Sequence, residues 1–143
     1  MLKLRKNKKG FTLVELIVVI AIMAVLAGTV AGVTVSQLNK NTDKTMGTEA
    51  KGVADFISTW IIENNIDLTT AANLDAVKDS DDTTLMQALQ KQYGNKVAAE
   101  KVKGKTLGVS FAEDKTITVE YEGKTNNGSA KYTINAEGIV KKV

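Results

Sequence analysis

Glu15 stands four residues after Phe11 in "FTLVELIVVI", in a stretch that carries no other charge before Lys40. A carboxylate in such a setting serves charge-assisted pairing better than proton transfer. Unpaired, it costs ~2.5–3.5 kcal/mol at mid-bilayer on insertion scales and less near an interface. Glu15 therefore needs a partner. Other residues of the right type for chemistry read more simply. Asp79, Asp81 and Asp82 could attract calcium, but they lack the glycine and distal glutamate of an EF-hand loop and suit a solvated loop leading into a helix cap. Asn127-Gly128-Ser129 fits a glycosylation sequon, yet Asn-Gly between alternating strands is first a tight turn. Lys101, Lys103 and Lys105 alternate; they could meet an acidic neighbour or DNA, and their simplest role is a solvated edge that discourages stray strand pairing.

The chain of 143 residues has no His and no Cys. That removes disulfides, thiolate nucleophiles, the usual zinc sites and the side chain that titrates near neutral pH. An enzyme would need a carboxylate or serine site, and no such constellation is apparent, so no catalytic residue, metal site or cofactor is expected. The net charge of +3 hides an asymmetry. Lys3, Arg5, Lys6, Lys8 and Lys9 precede Gly10, and the remainder holds 14 basic and 16 acidic residues, or −2, so a nucleic-acid role is not indicated.

These residues must be carried by a long apolar element followed by one ordinary domain. Leu16 to Val35 is uncharged for 20 residues, enough helix to span roughly 30 Å of hydrocarbon. The preceding cations should hold the N-terminus in the cytoplasm, placing everything after Lys40 across the membrane. Helical periodicity then continues as one dry stripe through Met46, Ala50, Val53, Ile57, Trp60 and Ile61. No Pro interrupts Phe11 to Ile66. Thr84 and Gln87 form a capping box for a shorter helix with Leu85, Met86, Leu89 and Tyr93 on its apolar face and Gly94 as its stop. Beyond Lys105 the period drops to two at Leu107, Val109 and Phe111, at Ile117, Val119 and Tyr121, and at Tyr132 and Ile134, with Ile139 to Val143 as a short last strand. Turns are expected at Glu113-Asp114-Lys115, at 126–129 and at 136–138. The fold class is α+β: a long helix whose dry stripe covers a small antiparallel sheet of three or four strands. Trp60, with Ile57 and Ile61, anchors the head core between them.

A secretory signal peptide would offer a small-residue cleavage point such as Val25-Leu26-Ala27, but the apolar run is long for that and contains Glu15. A plain membrane anchor explains the length and leaves the glutamate without a purpose. "KKGFTLVELIVVIAIMAVLAG" resembles the N-terminus of type IV prepilins and the related pseudopilins. The resemblance implies that 1–10 is a basic leader cut between Gly10 and Phe11 by a prepilin peptidase, which also methylates the new amino terminus. It implies that Glu15 neutralises the Phe11 amino group of a neighbouring subunit during assembly. The remainder divides into 11–35 as membrane-spanning and fibre-core helix, 36–66 as amphipathic helix and 67–143 as the globular head. Gly28 and Gly32 form a G-x-x-x-G pair that suits close helix packing or a segment that stretches in the fibre.

The resemblance further implies a self-polymer, held in cytoplasmic-membrane lipid before assembly and at the cell surface afterwards, driven by ATPases through a membrane platform protein. Adhesion, aggregation, motility and DNA capture are all open to such a fibre. Two departures from the family stand out: no proline in the apolar half, where Gly32 takes over the softening, and no cysteine pair near the C-terminus, which points to a Gram-positive or anaerobic source. The alternatives are a pseudopilin of a type II secretion or competence system and a membrane-anchored extracellular binding module.

Overall fold

A computed structural model describes residues 10–143. The expected leader residues 1–9, with their five cations, lie outside them. The elements run α1 (Leu13–Glu63), a 3₁₀ turn (Leu74–Ala76), α2 (Leu85–Tyr93), a second 3₁₀ turn (Gly94–Lys96), β1 (Val97–Ala98), β2 (Leu107–Phe111), β3 (Ile117–Tyr121), β4 (Ala130–Ile134) and β5 (Val140–Lys142). The chain divides into two compact units, one ending at Gln37 and the other comprising Leu38–Val143.

Two local devices set the ends of α1, which is shorter than the span that the absence of Pro allows. Thr12 caps its start, accepting from the Glu15 N–H. At its end Asn65 takes a left-handed φ of 51°, and its N–H and that of Ile66 donate back to the carbonyls of Ile62 and Ile61 at 3.2 and 2.9 Å. This is a Schellman closure with Asn in the position usually held by Gly.

In the first unit the helix is long and apolar enough to cross a membrane, and its side chains are exposed. The backbone satisfies itself as lipid demands, and two hydroxyls follow: Thr29 Oγ1 donates to the Leu26 carbonyl and Thr34 Oγ1 to that of Val30, both at 2.9 Å.

In the second unit the sheet has order β1-β2-β3-β4-β5. It holds five strands, against the three or four that alternation marks. The additional one, β1, is two residues long and runs parallel to β2, too short to show a period of two. The other pairings are antiparallel, with Val109 opposite Val119 and Val119 opposite Tyr132. Ile117, Val119 and Tyr121 alternate with half-buried residues, and together with Leu107, Val109, Tyr132 and Ile134 they form the sheet's inner face. Met46, Ala50, Val53, Ala54, Ile57, Trp60 and Ile61 of α1 are buried in the same core. Leu85 and Leu89 of α2 join it behind the Thr84–Gln87 capping box.

Two connections differ from their simplest reading. Lys101 and Lys103 do not edge the sheet; they pair with Glu120 at 2.6 Å and Glu122 at 3.6 Å. Gly108 permits this, since a Cβ there would stand 2.8 Å from the Lys101 nitrogen. The β3–β4 connection is not a two-residue hairpin at Asn127-Gly128. It runs from 122 to 129, and its turn spans Thr125 to Gly128, closed by a 3.1 Å bond from the Gly128 N–H to the Thr125 carbonyl.

Ile57 is fully buried on the stripe that joins helix to sheet. Ile57→Ala should lower the unfolding free energy of the full chain in detergent by ~2–5 kcal/mol, read from urea titration of the Trp60 fluorescence.

Candidate assembly site

Gly10 and Phe11 precede α1 in non-helical, exposed chain, and Phe11 is 89% exposed. Thr12 is the N-cap. Its Oγ1 accepts from the Glu15 N–H at 3.2 Å, and the Glu15 Oε2 accepts from both the N–H and the hydroxyl of Thr12 at 2.9 Å. This reciprocal arrangement is a capping box, Thr-x-x-Glu, which satisfies backbone donors that a helix start otherwise leaves open. A carboxylate in the first turn also sits at the positive end of the helix dipole. Glu15 thus has a local role as well as any intermolecular one. The T-x-x-E spacing in the sequence is the signal for it. Both bonds fall on Oε2, so Oε1 is the oxygen open to a further donor.

Residues 5–31 match the family model described as the prokaryotic N-terminal methylation motif. The chain carries the type IV pilin signature. The motif supports a prepilin-like chain of the pilin or pseudopilin kind and implies processing by prepilin peptidase, and the apolar helix fits membrane anchoring. No curated protein and no solved structure matches the chain.

Within the pilin motif, Gly28 lies in α1, and Gly32 follows one residue beyond the matched segment. A Cβ at either would meet nothing within 4 Å. Glu15 and this glycine pair are not brought together, lying thirteen or more residues apart on one helix. Ile57, Trp60 and Ile61 lie in the second unit, further along the same helix, and are buried in the core.

A second carboxylate of α1 escapes the sequence reading. Asp43 is only 4% exposed. Its Oδ1 accepts from the Tyr121 hydroxyl at 2.9 Å and the Lys124 N–H at 2.8 Å, and its Oδ2 accepts from the N–H and hydroxyl of Thr125 at 2.8 and 2.6 Å. The β3–β4 loop is wrapped around this side chain. A Cβ on Gly128 would collide with the Asp43 carboxylate, and one on Gly123 would collide with Gly128. The clue was its place three residues before Met46, one turn earlier on the dry stripe. Burial alone would raise the Asp43 pKa, but the Thr125, Lys124 and Tyr121 hydrogen bonds outweigh it and hold the carboxyl down at about 2. Burial, then the bond to Asp43 and its charge, push the Tyr121 hydroxyl up to about 12.

Because the folded pKa of Asp43 lies below that of an unfolded aspartate, its contribution is complete above about pH 4 and is lost as the pH falls toward 2. Urea midpoints of the wild type should fall across that window by more than those of Asp43→Asn. At pH 7, Asp43→Ala should cost ~1–3 kcal/mol, since it leaves the buried Tyr121 hydroxyl and the part-buried loop donors without their acceptor.

Proposed function

We propose that this chain is the structural subunit, the major pilin, of a type IV pilus. The observation that carries the reading is Glu15, locked into the first turn of an exposed apolar helix four residues behind the Gly10–Phe11 junction, with Oε1 unused. Cleavage at that junction removes residues 1–10 and turns the Phe11 nitrogen from a neutral amide into an ammonium. An ammonium at a helix N-terminus opposes the helix dipole and gains from a carboxylate. In a dry bundle of helices the pairing of a Phe11 amine with the Glu15 of a neighbouring copy is a charge-assisted bond, and either partner left alone there is strongly disfavoured. The pair therefore sets the depth at which an incoming subunit docks.

The segment 11–35 then has two successive surroundings, lipid before assembly and neighbouring helices after it, with Gly28 and Gly32 allowing close approach in the second. Residues 36–66 carry the stripe that seats the head, 67–143. The work of assembly comes from cytoplasmic ATPases acting through a membrane platform, and the finished fibre serves adhesion, aggregation or motility at the cell surface. A secretion or competence pseudopilin would use the same N-terminal device in a shorter assembly, and the distribution of the mature chain separates the two.

Intact-mass and N-terminal analysis of sheared surface fibres should find a methylated chain beginning at Phe11. The same mature chain confined to the membrane would favour the pseudopilin, and a chain still beginning at Met1 would refute processing. Glu15→Ala should be cut and inserted normally while fibre yield drops at least about tenfold; abundant fibres from the mutant alone would contradict the pairing. Gly10→Phe should accumulate uncut in the membrane fraction by immunoblot.

A further inference from the structure

A groove of about 660 Å³ lies in the second unit between residues 40–51 of α1 and the β3–β4 loop, with Lys142 of β5 also in its lining. Its floor is made of small residues: a Cβ on Gly47 would lie 3.9 Å from the Ala130 Cβ. The polar side chains offered to it by Lys40, Lys44, Lys142, Thr48, Asn126 and Asn127 are rich in donors. The carboxylate in its lining, Asp43, has both oxygens committed to the β3–β4 loop. Lys51, also in the wall, pairs with Asp55 at 3.4 Å. Among the described residues the ion pairs include none of Lys40, Lys44 and Lys142.

This concentration of cations runs against the −2 balance of the chain beyond Gly10. Lys40 and Lys44 stand at i and i+4, where like charges weaken a helix unless an anion lies between them. Cations just beyond a membrane span also oppose insertion with the basic leader in the cytoplasm. An acceptor-only anion relieves both costs, and lysine ammonium groups bind phosphate as point charges. Lys40 follows Val35 by five residues, roughly 7.5 Å of helical rise, and the headgroup layer is about 5–8 Å deep on each side. Helical side chains lean toward the N-terminus, so Lys44 reaches back toward that layer.

We infer that Lys40, Lys44 and Lys142, which all line this groove, seat the phosphate of an anionic phospholipid headgroup while the subunit waits in the membrane. The inference rests on the membrane-stored stage of the proposed function. Extraction into a fibre would break these contacts.

The test places the mature full chain in nanodiscs of mixed phosphatidylglycerol and phosphatidylcholine and counts, by native mass spectrometry, each lipid retained on the ejected protein. Wild type should retain phosphatidylglycerol over phosphatidylcholine by about tenfold. Lys40→Gln/Lys44→Gln/Lys142→Gln should lose that preference, and Lys91→Gln/Lys105→Gln/Lys131→Gln, with the same change in net charge, should keep it. Equal loss in both triple variants overturns the site in favour of a general charge effect. A wild type without lipid preference also overturns it, whether the lysines then bind inorganic phosphate or crosslink at zero length to a carboxylate of a second chain. Co-elution with the nanodisc is read separately: a chain that fails to co-elute overturns the membrane stage and this inference together, whereas one that co-elutes without preference overturns the headgroup seat alone.

Discussion

A carboxylate shut away from water must find donors, and much of the head is arranged around that requirement at Asp43. Four hydrogen bonds reach it from Tyr121, Lys124 and Thr125. They bind the middle of α1 to the far end of β3 and to the loop beyond it. The loop can come this close only because Gly123 and Gly128 have no side chains. Tyr121 in turn is fully buried, and its bond to Asp43 ties the last residue of β3 to the helix. A second tie lies further along α1, where the Ser58 hydroxyl donates to the Gly138 carbonyl in the β4–β5 turn. With no cysteine in the chain, these polar fastenings and the apolar stripe between them do what a covalent bridge could otherwise do.

The parts of the fold with a strong period were legible in the sequence. Twenty uncharged residues after a basic N-terminal stretch, a stripe at three- and four-residue spacing, a capping box before Leu85 and three runs of strict alternation each have one cheap physical solution. What escaped was non-periodic. A two-residue parallel strand carries no pattern, and a loop organised by a buried aspartate 82 residues away looks locally like a polar turn. Asn126-Asn127-Gly128 has the composition of a hairpin. Its geometry was decided elsewhere, by the need to deliver N–H groups to Asp43. Glu15 among apolar residues demands a partner, and its local one, Thr12, was hidden in plain view as a capping pattern.

Glu15 and Asp43 are the same functional group on the same helix in opposite conditions. Asp43 is saturated: each oxygen takes two donors, and nothing further can bind without displacing part of the fold. Glu15 is half-satisfied, with both of its bonds on Oε2 and made to Thr12, three residues away. Saturation suits a fastening and partial satisfaction suits a docking point, because a group that must later accept a partner has to keep an oxygen available without swinging freely.

The clasp also has a consequence for the order of events. Asp43 and its donors are separated by 78 to 82 residues, so the contact is among the most distant in the chain. Closing so long a loop adds little to the equilibrium cost, about 0.6 kcal/mol per doubling of length, but contacts of this span slow folding. The hydrogen bonds of the helix are local, and its closure reaches only as far as Asn65 and Ile66. Until residues 121–125 are delivered, Asp43 has no donors, and Met46, Val53 and Ile57 beside it lack the sheet that covers them. The vulnerable quantity in this molecule is time: any delay in delivering residues 121–125 leaves the stripe uncovered for longer.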